Sequence, residues 1–187
     1  MSGVVVRKAV AADAVGIARV HVRAWQVAYA GLLPAEALTG LGVEESATRW
    51  SELLTWPRPG TIVLVAERDD RVVGFASIGP SRDADADPAV VGELFALYVS
   101  PAAWRTGVGR ALLSAADTML AVAGFERATL WVLVDNARAR GVYEAAGWLP
   151  EGATKVEAHL GRNLRELRYV RDLGGREAPE EAGEPID

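Results

Sequence analysis

The chain has no cysteine among its 187 residues. Disulfides, thiolate metal sites and a cysteine nucleophile are therefore all excluded. It also lacks a long hydrophobic run: no window approaches the ~18 consecutive apolar residues that a membrane-spanning helix needs. The opening "MSGVVVRKAV" offers a short apolar stretch before Arg7 and Lys8. It reads as neither anchor nor secretion signal, so a cytoplasmic protein without membrane contact is expected. Basic clusters are missing too, which argues against a nucleic-acid partner because phosphate contacts need them. There is no internal repeat.

What is present is an apolar chain, 50% hydrophobic, with a net charge of −5. The charge is unevenly placed. From Gly174 onward one arginine faces five acids, a net of −4, which leaves −1 for residues 1–173. That final stretch, "GGREAPEEAGEPID", has no apolar period and is expected to be a disordered, solvated tail over 174–187. The rest is long enough for one domain over 1–173, within the roughly 100–200 residues a domain commonly takes.

Along residues 1–173 the hydrophobic period switches between 2 and 3.6. "VVVRKAV" (4–10) reads as a strand. Val15, Ala18, Val22, Trp25 and Tyr29 recur at three- or four-residue steps behind Asp13, a candidate cap, and mark a helix. Two more helical stretches follow, one after Pro34 and one over 44–54. Residues 61–79 hold two β-branched runs around "RDDR", a hairpin signal. "GELFALYV" (92–99) is apolar on both faces except at Glu93, as a central strand would be. Helix 109–123, strand 127–134, helix 136–146 and strands near 148–158 and 164–171 complete an α/β order. It implies a mixed sheet, with hairpins first and strand-helix-strand crossovers later. "SRDADADP" (81–88) places Asp83, Asp85 and Asp87 at alternate positions, but no glycine or glutamate follows at the spacing of a calcium loop.

The stretch "YVSPAAWRTGVGRALL" (98–113) carries the first chemical signal. A strand ends at Val99, Gly107 and Gly109 form a turn, and an apolar helix follows. The first-turn N–H groups of a helix have no intrahelical partners, and the helix dipole adds about half a positive charge there. Glycines let an anion come close, so the site suits a pyrophosphate, with Arg105 and Arg110 beside it. A tight turn alone would explain the same two glycines. A phosphate-binding P-loop is absent, and Leu112 stands where a dinucleotide fingerprint needs its third glycine.

A second cluster lies in "LWVLVDNARARGVYEAAGW" (130–148). Asp135 or Asn136 caps a helix there, and Asn136, Arg140 and Tyr143 share one face by spacing. Taken singly, Asn136 reads equally well as a cap and Tyr143 as core.

The two motifs together, with the element order, resemble the GNAT superfamily of acetyl-coenzyme A dependent N-acetyltransferases. The likeness covers most of residues 4–171. It implies a mixed, mostly antiparallel sheet of six to seven strands flanked by helices, with the strand at 93–99 splaying from its neighbour. It also implies acetyl-CoA as co-substrate and no metal. Backbone groups of Leu97, Tyr98 and Val99 would pair with the pantetheine arm, and the amides of Arg105, Thr106, Gly107, Val108, Gly109 and Arg110 would hold the pyrophosphate. Asn136 would contact the pantetheine arm and Tyr143 would protonate the departing thiolate. A small-molecule or peptide primary amine would attack the thioester directly through a tetrahedral intermediate, consistent with the lack of cysteine. Glu93 is the first candidate for the base, acting through water, and His21 the alternative; His159 is a weaker one. Trp25, Tyr29 and Phe95, with His21 and Trp131, can wall an acceptor pocket or simply form core. A homodimer is compatible with such a family, but no interface is legible. The competing expectation is a non-catalytic, acyl-CoA-sensing regulatory module on the same fold. One departure stands out: Trp104 occupies the position where the family's motif usually has Gln or Arg.

Overall fold

The computed structural model describes residues 3–174; the acidic stretch expected as a tail lies, apart from Gly174, outside the described residues. The chain begins with strand β1 (Val5–Lys8), a 3-10 turn (Ala11–Asp13) and helices α1 (Ala14–Ala28), α2 (Ala35–Thr39) and α3 (Val43–Thr55). The hairpin β2 (Ile62–Arg68) and β3 (Arg71–Pro80) follows, then β4 (Val91–Val99), α4 (Val108–Val122), β5 (Arg127–Leu133), α5 (Ala137–Ala145), β6 (Leu149–His159) and β7 (Arg162–Asp172). The strands form one seven-stranded sheet in the order β1-β2-β3-β4-β5-β7-β6. Among the strands of the described residues only β4–β5 is a parallel pair. The other five pairings are antiparallel. This is the mixed, mostly antiparallel sheet expected from the sequence.

Local chemistry explains most boundaries. The hairpin between β2 and β3 turns at Asp69 and Asp70, both at positive φ, the conformation that two-residue hairpin turns require. Asn136 caps α5 by accepting from the Ala139 N–H at 3.1 Å. Asp13 behaves differently from the expected cap: its carboxylate turns back to the Val10 N–H and to Arg7, at 2.8 Å each. Arg7 also holds Glu67, so the pairing ties β1 to β2 and to the start of α1, and it keeps the Asp13 carboxyl below its ordinary range.

Two apolar layers flank the sheet. Leu112, Leu113, Ala116 and Leu120 of α4 bury against Leu64, Ala76, Leu94 and Leu130. Each fully buried leucine contributes roughly 2 kcal/mol of transfer free energy. Gly74 sets the approach of α4 to β3, because a Cβ there would meet the Tyr98 carbonyl at 3.1 Å and Leu112 Cδ1 at 2.9 Å. On the other face Ile17 and Val20 of α1 pack with Val63, Val65 and Phe75. Among the described residues no helix is long and apolar enough to cross a membrane.

The sheet opens at its centre. β4 and β5 pair only from Val91 opposite Arg127 to Leu94 opposite Leu130. β4 then runs on to Val99 and β5 to Leu133 without touching. The divergence starts where the β3–β4 register slips, Ile78 opposite Leu94 but Ser77 opposite Ala96, leaving Phe95 as the extra residue of a bulge.

Candidate active site

The splay between β4 and β5 holds a cavity of about 790 Å³, within the usual size range for small-molecule sites. One end is formed by the turn into α4. Gly107 stands before that helix at φ +88°, a left-handed conformation that glycine adopts at little cost. Arg105 shares it at φ +62°, a strained state for a non-glycine residue. Gly109, in the first turn, lacks the side chain that would cover the free amides. Arg105, Arg110 and Arg138 line the same cavity, so it carries three cations in addition to the helix N-terminus. Amides without intrahelical partners, a dipole and clustered cations together form a site for an anion.

The predicted cofactor residues divide. Leu97, Tyr98, Val99, Arg105, Gly107, Gly109, Arg110 and Asn136 line the cavity. Val108 is fully buried in the core. The Thr106 hydroxyl donates to the Ala103 carbonyl at 2.7 Å. Neither of these two lines the cavity. Trp104, where a polar side chain was expected, donates its indole N–H to the Val99 carbonyl at 2.8 Å and carries the Arg138 guanidinium 3.6 Å over its ring. Arg140 turns away from the cavity, bonding the Tyr169 hydroxyl and the Val134 carbonyl.

Tyr143 lines the middle of the cavity. Burial, and secondly the nearby Tyr98, push its phenol above the ordinary tyrosine range, so it stays protonated and able to donate. Tyr29 is raised likewise, by burial first and then by Tyr98, Tyr143 and Glu166, and all four residues line the cavity.

The other end is polar, and strand alternation builds it. Register sets Trp131 opposite Arg168 and Leu133 opposite Glu166, and Glu166 in turn opposite Lys155. With a period of two, Lys155, Glu157 and His159 of β6 share one face with Glu166 and Arg168 of β7. The Lys155 ammonium lies 2.8 Å from Glu157 and 3.3 Å from Glu166, and His159 Nε2 lies 3.2 Å from Glu166. Glu157, His159 and Glu166 bring one potential metal ligand each within 4.8 Å of one another. The Lys155 ammonium already supplies cationic charge to two of the three.

Glu93 lines the cavity but is 2% exposed, and Arg82 engages both carboxylate oxygens, through NH2 to Oε1 at 2.6 Å and backbone N–H to Oε2 at 2.8 Å. Trp25, Tyr29 and Phe95 line the cavity as well. His21 does not. It borders a separate space of about 370 Å³ and packs against Trp25, Trp50, Phe75 and Tyr98. Burial, and secondly Arg49, lower its pKa to about 4, so it is neutral near pH 7. Asp83 and Asp85 of the alternating acidic loop are bound to Arg168 at 3.3 and 2.7 Å. Arg82, Lys155, Glu157 and Glu166 were missed by sequence reasoning. For the last three the signal was alternation of charge along 155–159 and 166–168, which also fits an exposed edge.

Comparison with known proteins gives the same picture. The family model described as Acetyltransferase (GNAT) family matches residues 15–148. The uncharacterized N-acetyltransferase YuaI of Bacillus subtilis is 35% identical over 133 residues, 71% of this chain and 73% of that protein. A mycothiol acetyltransferase of Beutenbergia cavernae is 38% identical over 96 residues, but these are 51% of this chain and only 31% of that longer protein. Among solved structures, the PaiA N-acetyltransferase from Thermoplasma acidophilum in complex with coenzyme A superposes with a TM-score of 0.67 at 20% identity, covering 91% of this chain and 99% of that one. With a family model spanning most of its length and a splayed central strand of the matching fold, this chain belongs to the GNAT family of acetyltransferases.

Proposed function

We propose that the chain transfers an acetyl group from acetyl-CoA directly to a primary amine of a small molecule or peptide. The carrying observation is the single cavity that joins the open edge of β4, the N-terminus of α4 and the Tyr143 phenol. The residues fit the co-substrate. The free edge of Leu97–Val99 accepts an extended amide-bearing arm as an added strand, and the amides from 105 to 110, with Arg105 and Arg110, hold a pyrophosphate. The co-substrate supplies the activated acyl carbon. Around it, the N–H of the bulged strand near Leu97 meets the oxyanion as the amine adds, and Tyr143 gives its proton to the sulfur. Asn136 spends its Oδ1 on capping α5 and keeps its amide for the pantetheine arm. Relatives named as mycothiol acetyltransferases support a small-molecule acceptor.

The test is thiol release from acetyl-CoA across a panel of amines, amino acids and peptides, together with the melting-temperature rise on adding coenzyme A. Turnover of at least one amine is expected. Stabilisation by coenzyme A with no turnover of any amine would favour the non-catalytic acyl-CoA-sensing module. No stabilisation at millimolar coenzyme A would remove both readings.

A further inference from the structure

An amine that is protonated near neutral pH must shed a proton before it can attack, and the groups around the acceptor end differ in their fitness to take it. Glu93 has both oxygens engaged by Arg82 through three hydrogen bonds, which turn the carboxylate toward the guanidinium. Glu157 is held by Lys155, which keeps its carboxyl below the ordinary range. His21 lies outside the cavity and is a weak base. Among the described residues this leaves one imidazole on the cavity wall.

We propose that His159 is the group that takes the proton from the acceptor amine, with Glu166 as the residue that positions it. This rests on the reading of the chain as an amine acetyltransferase. His159 ends β6 and lines the cavity, with the Trp25 ring 6.2 Å away. Its Nε2 meets Oε1 of the buried Glu166, whose Oε2 faces Lys155. An ionised carboxylate only accepts, so Nε2 carries the hydrogen in the neutral ring and Nδ1 keeps its lone pair. Protonation at Nδ1 then gives an imidazolium already paired with a carboxylate. Tyr29, Tyr143, His159 and Glu166 all line the same cavity, so the pair and the phenol that would protonate the thiolate share it.

Two protons leave the nitrogen in each turnover. One passes to His159 Nδ1 before the C–N bond forms and goes on to solvent. The other leaves the tetrahedral nitrogen as the C–S bond breaks and, through solvent, replaces the proton that Tyr143 has given to the sulfur. The charged and titratable groups beside His159 are Glu157 and Lys155 on β6 and Glu166 and Arg162 on β7, while Tyr29 and Tyr98 line the same cavity.

The test is kcat/KM against pH for wild type, His159→Gln and Glu166→Gln on an amine the wild type acetylates. His159→Gln is expected to lower kcat about a hundredfold or more at neutral pH, with the KM for acetyl-CoA unchanged. The acid limb of the profile should vanish, and the deficit should shrink as the pH nears the point where the acceptor deprotonates by itself. Free imidazole should restore turnover to His159→Gly, which separates a lost base from a damaged fold. Glu166→Gln should fall between the two, and Glu166→Asp should recover part of the loss. An acid limb retained in His159→Gln, a deficit independent of pH, or loss of wild-type turnover on chelation with EDTA would each overturn the assignment. If the wild type acetylates no amine, the parent reading fails first. If it does so and His159→Gln matches it, only the assignment of His159 fails.

Discussion

The indole N–H of Trp104 donates to the carbonyl of Val99 at 2.8 Å. The acceptor belongs to the edge that the family resemblance assigns to the pantetheine arm. Arg138, 3.6 Å over the same ring, opens α5 on the far side of the splay, so the indole links both lips of the groove. An incoming amide must displace that bond. One such bond contributes about 1 kcal/mol, close to a fivefold change in affinity. Trp104→Gln should therefore tighten coenzyme A binding about fivefold by calorimetry, with little change in kcat. Weaker binding would show instead that the indole packs against the bound arm.

Gly107 and Gly109 look alike in the sequence but do different work. At φ +88° Gly107 needs its freedom, and Gly107→Ala should cost about 1–2 kcal/mol in a urea titration. Gly109 has ordinary helical geometry, and a Cβ there would meet Val99 Cγ2 at a comfortable 3.7 Å. Gly109→Ala should leave stability equal or higher by up to about 1 kcal/mol, as alanine favours helix. It should nevertheless weaken coenzyme A binding at least tenfold, because the methyl stands over the amides of the first turn. Equal affinity in Gly109→Ala would remove the pyrophosphate cradle from this turn.

The pair Arg82–Glu93 is lopsided: the side chains are 58% and 3% exposed. Removing the exposed partner strands a buried charge, whereas removing the buried one lets the guanidinium return to water. Arg82→Ala should cost about 3 kcal/mol, typical of breaking a buried pair, and Glu93→Gln clearly less, both read from chemical denaturation. The reverse order would mean that Glu93 is stabilised by something other than Arg82. If Glu93 were the base, Glu93→Gln would also erase the acid limb of the rate profile, which the His159 assignment forbids.

The fold was largely legible because its signals are local. Periods of 3.6 and 2 located α1, α3 and α4 and most of the strands to within two residues, and "RDDR" marked the turn at Asp69 and Asp70. Gly107 and Asn136 announced the two helix starts that face the cavity. The polar end of the cavity was not legible, because it is made by pairing across distance. His159 and Glu166 meet only once β6 folds back on β7, and Lys155 and Trp131 share a face only through the β5–β7–β6 register. Nor could composition show that Arg168 would take up Asp83 and Asp85 from the other half of the chain. Trp104 was seen as a departure, but its bond to Val99 depends on the turn that follows β4.

Asp117 tests how far α4 tolerates a buried charge. It sits on the inner side of the helix beside Arg171, 3.3 Å away, with its side chain 12% exposed. Burial raises its carboxyl from 3.8 to about 6, with Arg171 opposing only in part. As the pH falls, the folded state takes up this proton before the unfolded state does. Between about pH 6 and 3.8 the group therefore adds stability as the pH drops, and above pH 6 the ionised form weighs fully against the fold. A rise of that size corresponds to roughly 3 kcal/mol. Asp117→Asn, neutral at every pH, should be more stable than wild type by about 2–3 kcal/mol at pH 7.5, and the difference should close by pH 4. The comparison must be made as a difference between variant and wild type, because Asp13 and Glu157, held below 3.8 and 4.5 by Arg7 and Lys155, begin to lose their stabilisation at the acid end of that window. A variant that is less stable than wild type at pH 7.5 would show that the attraction of Arg171 outweighs the burial of the carboxylate.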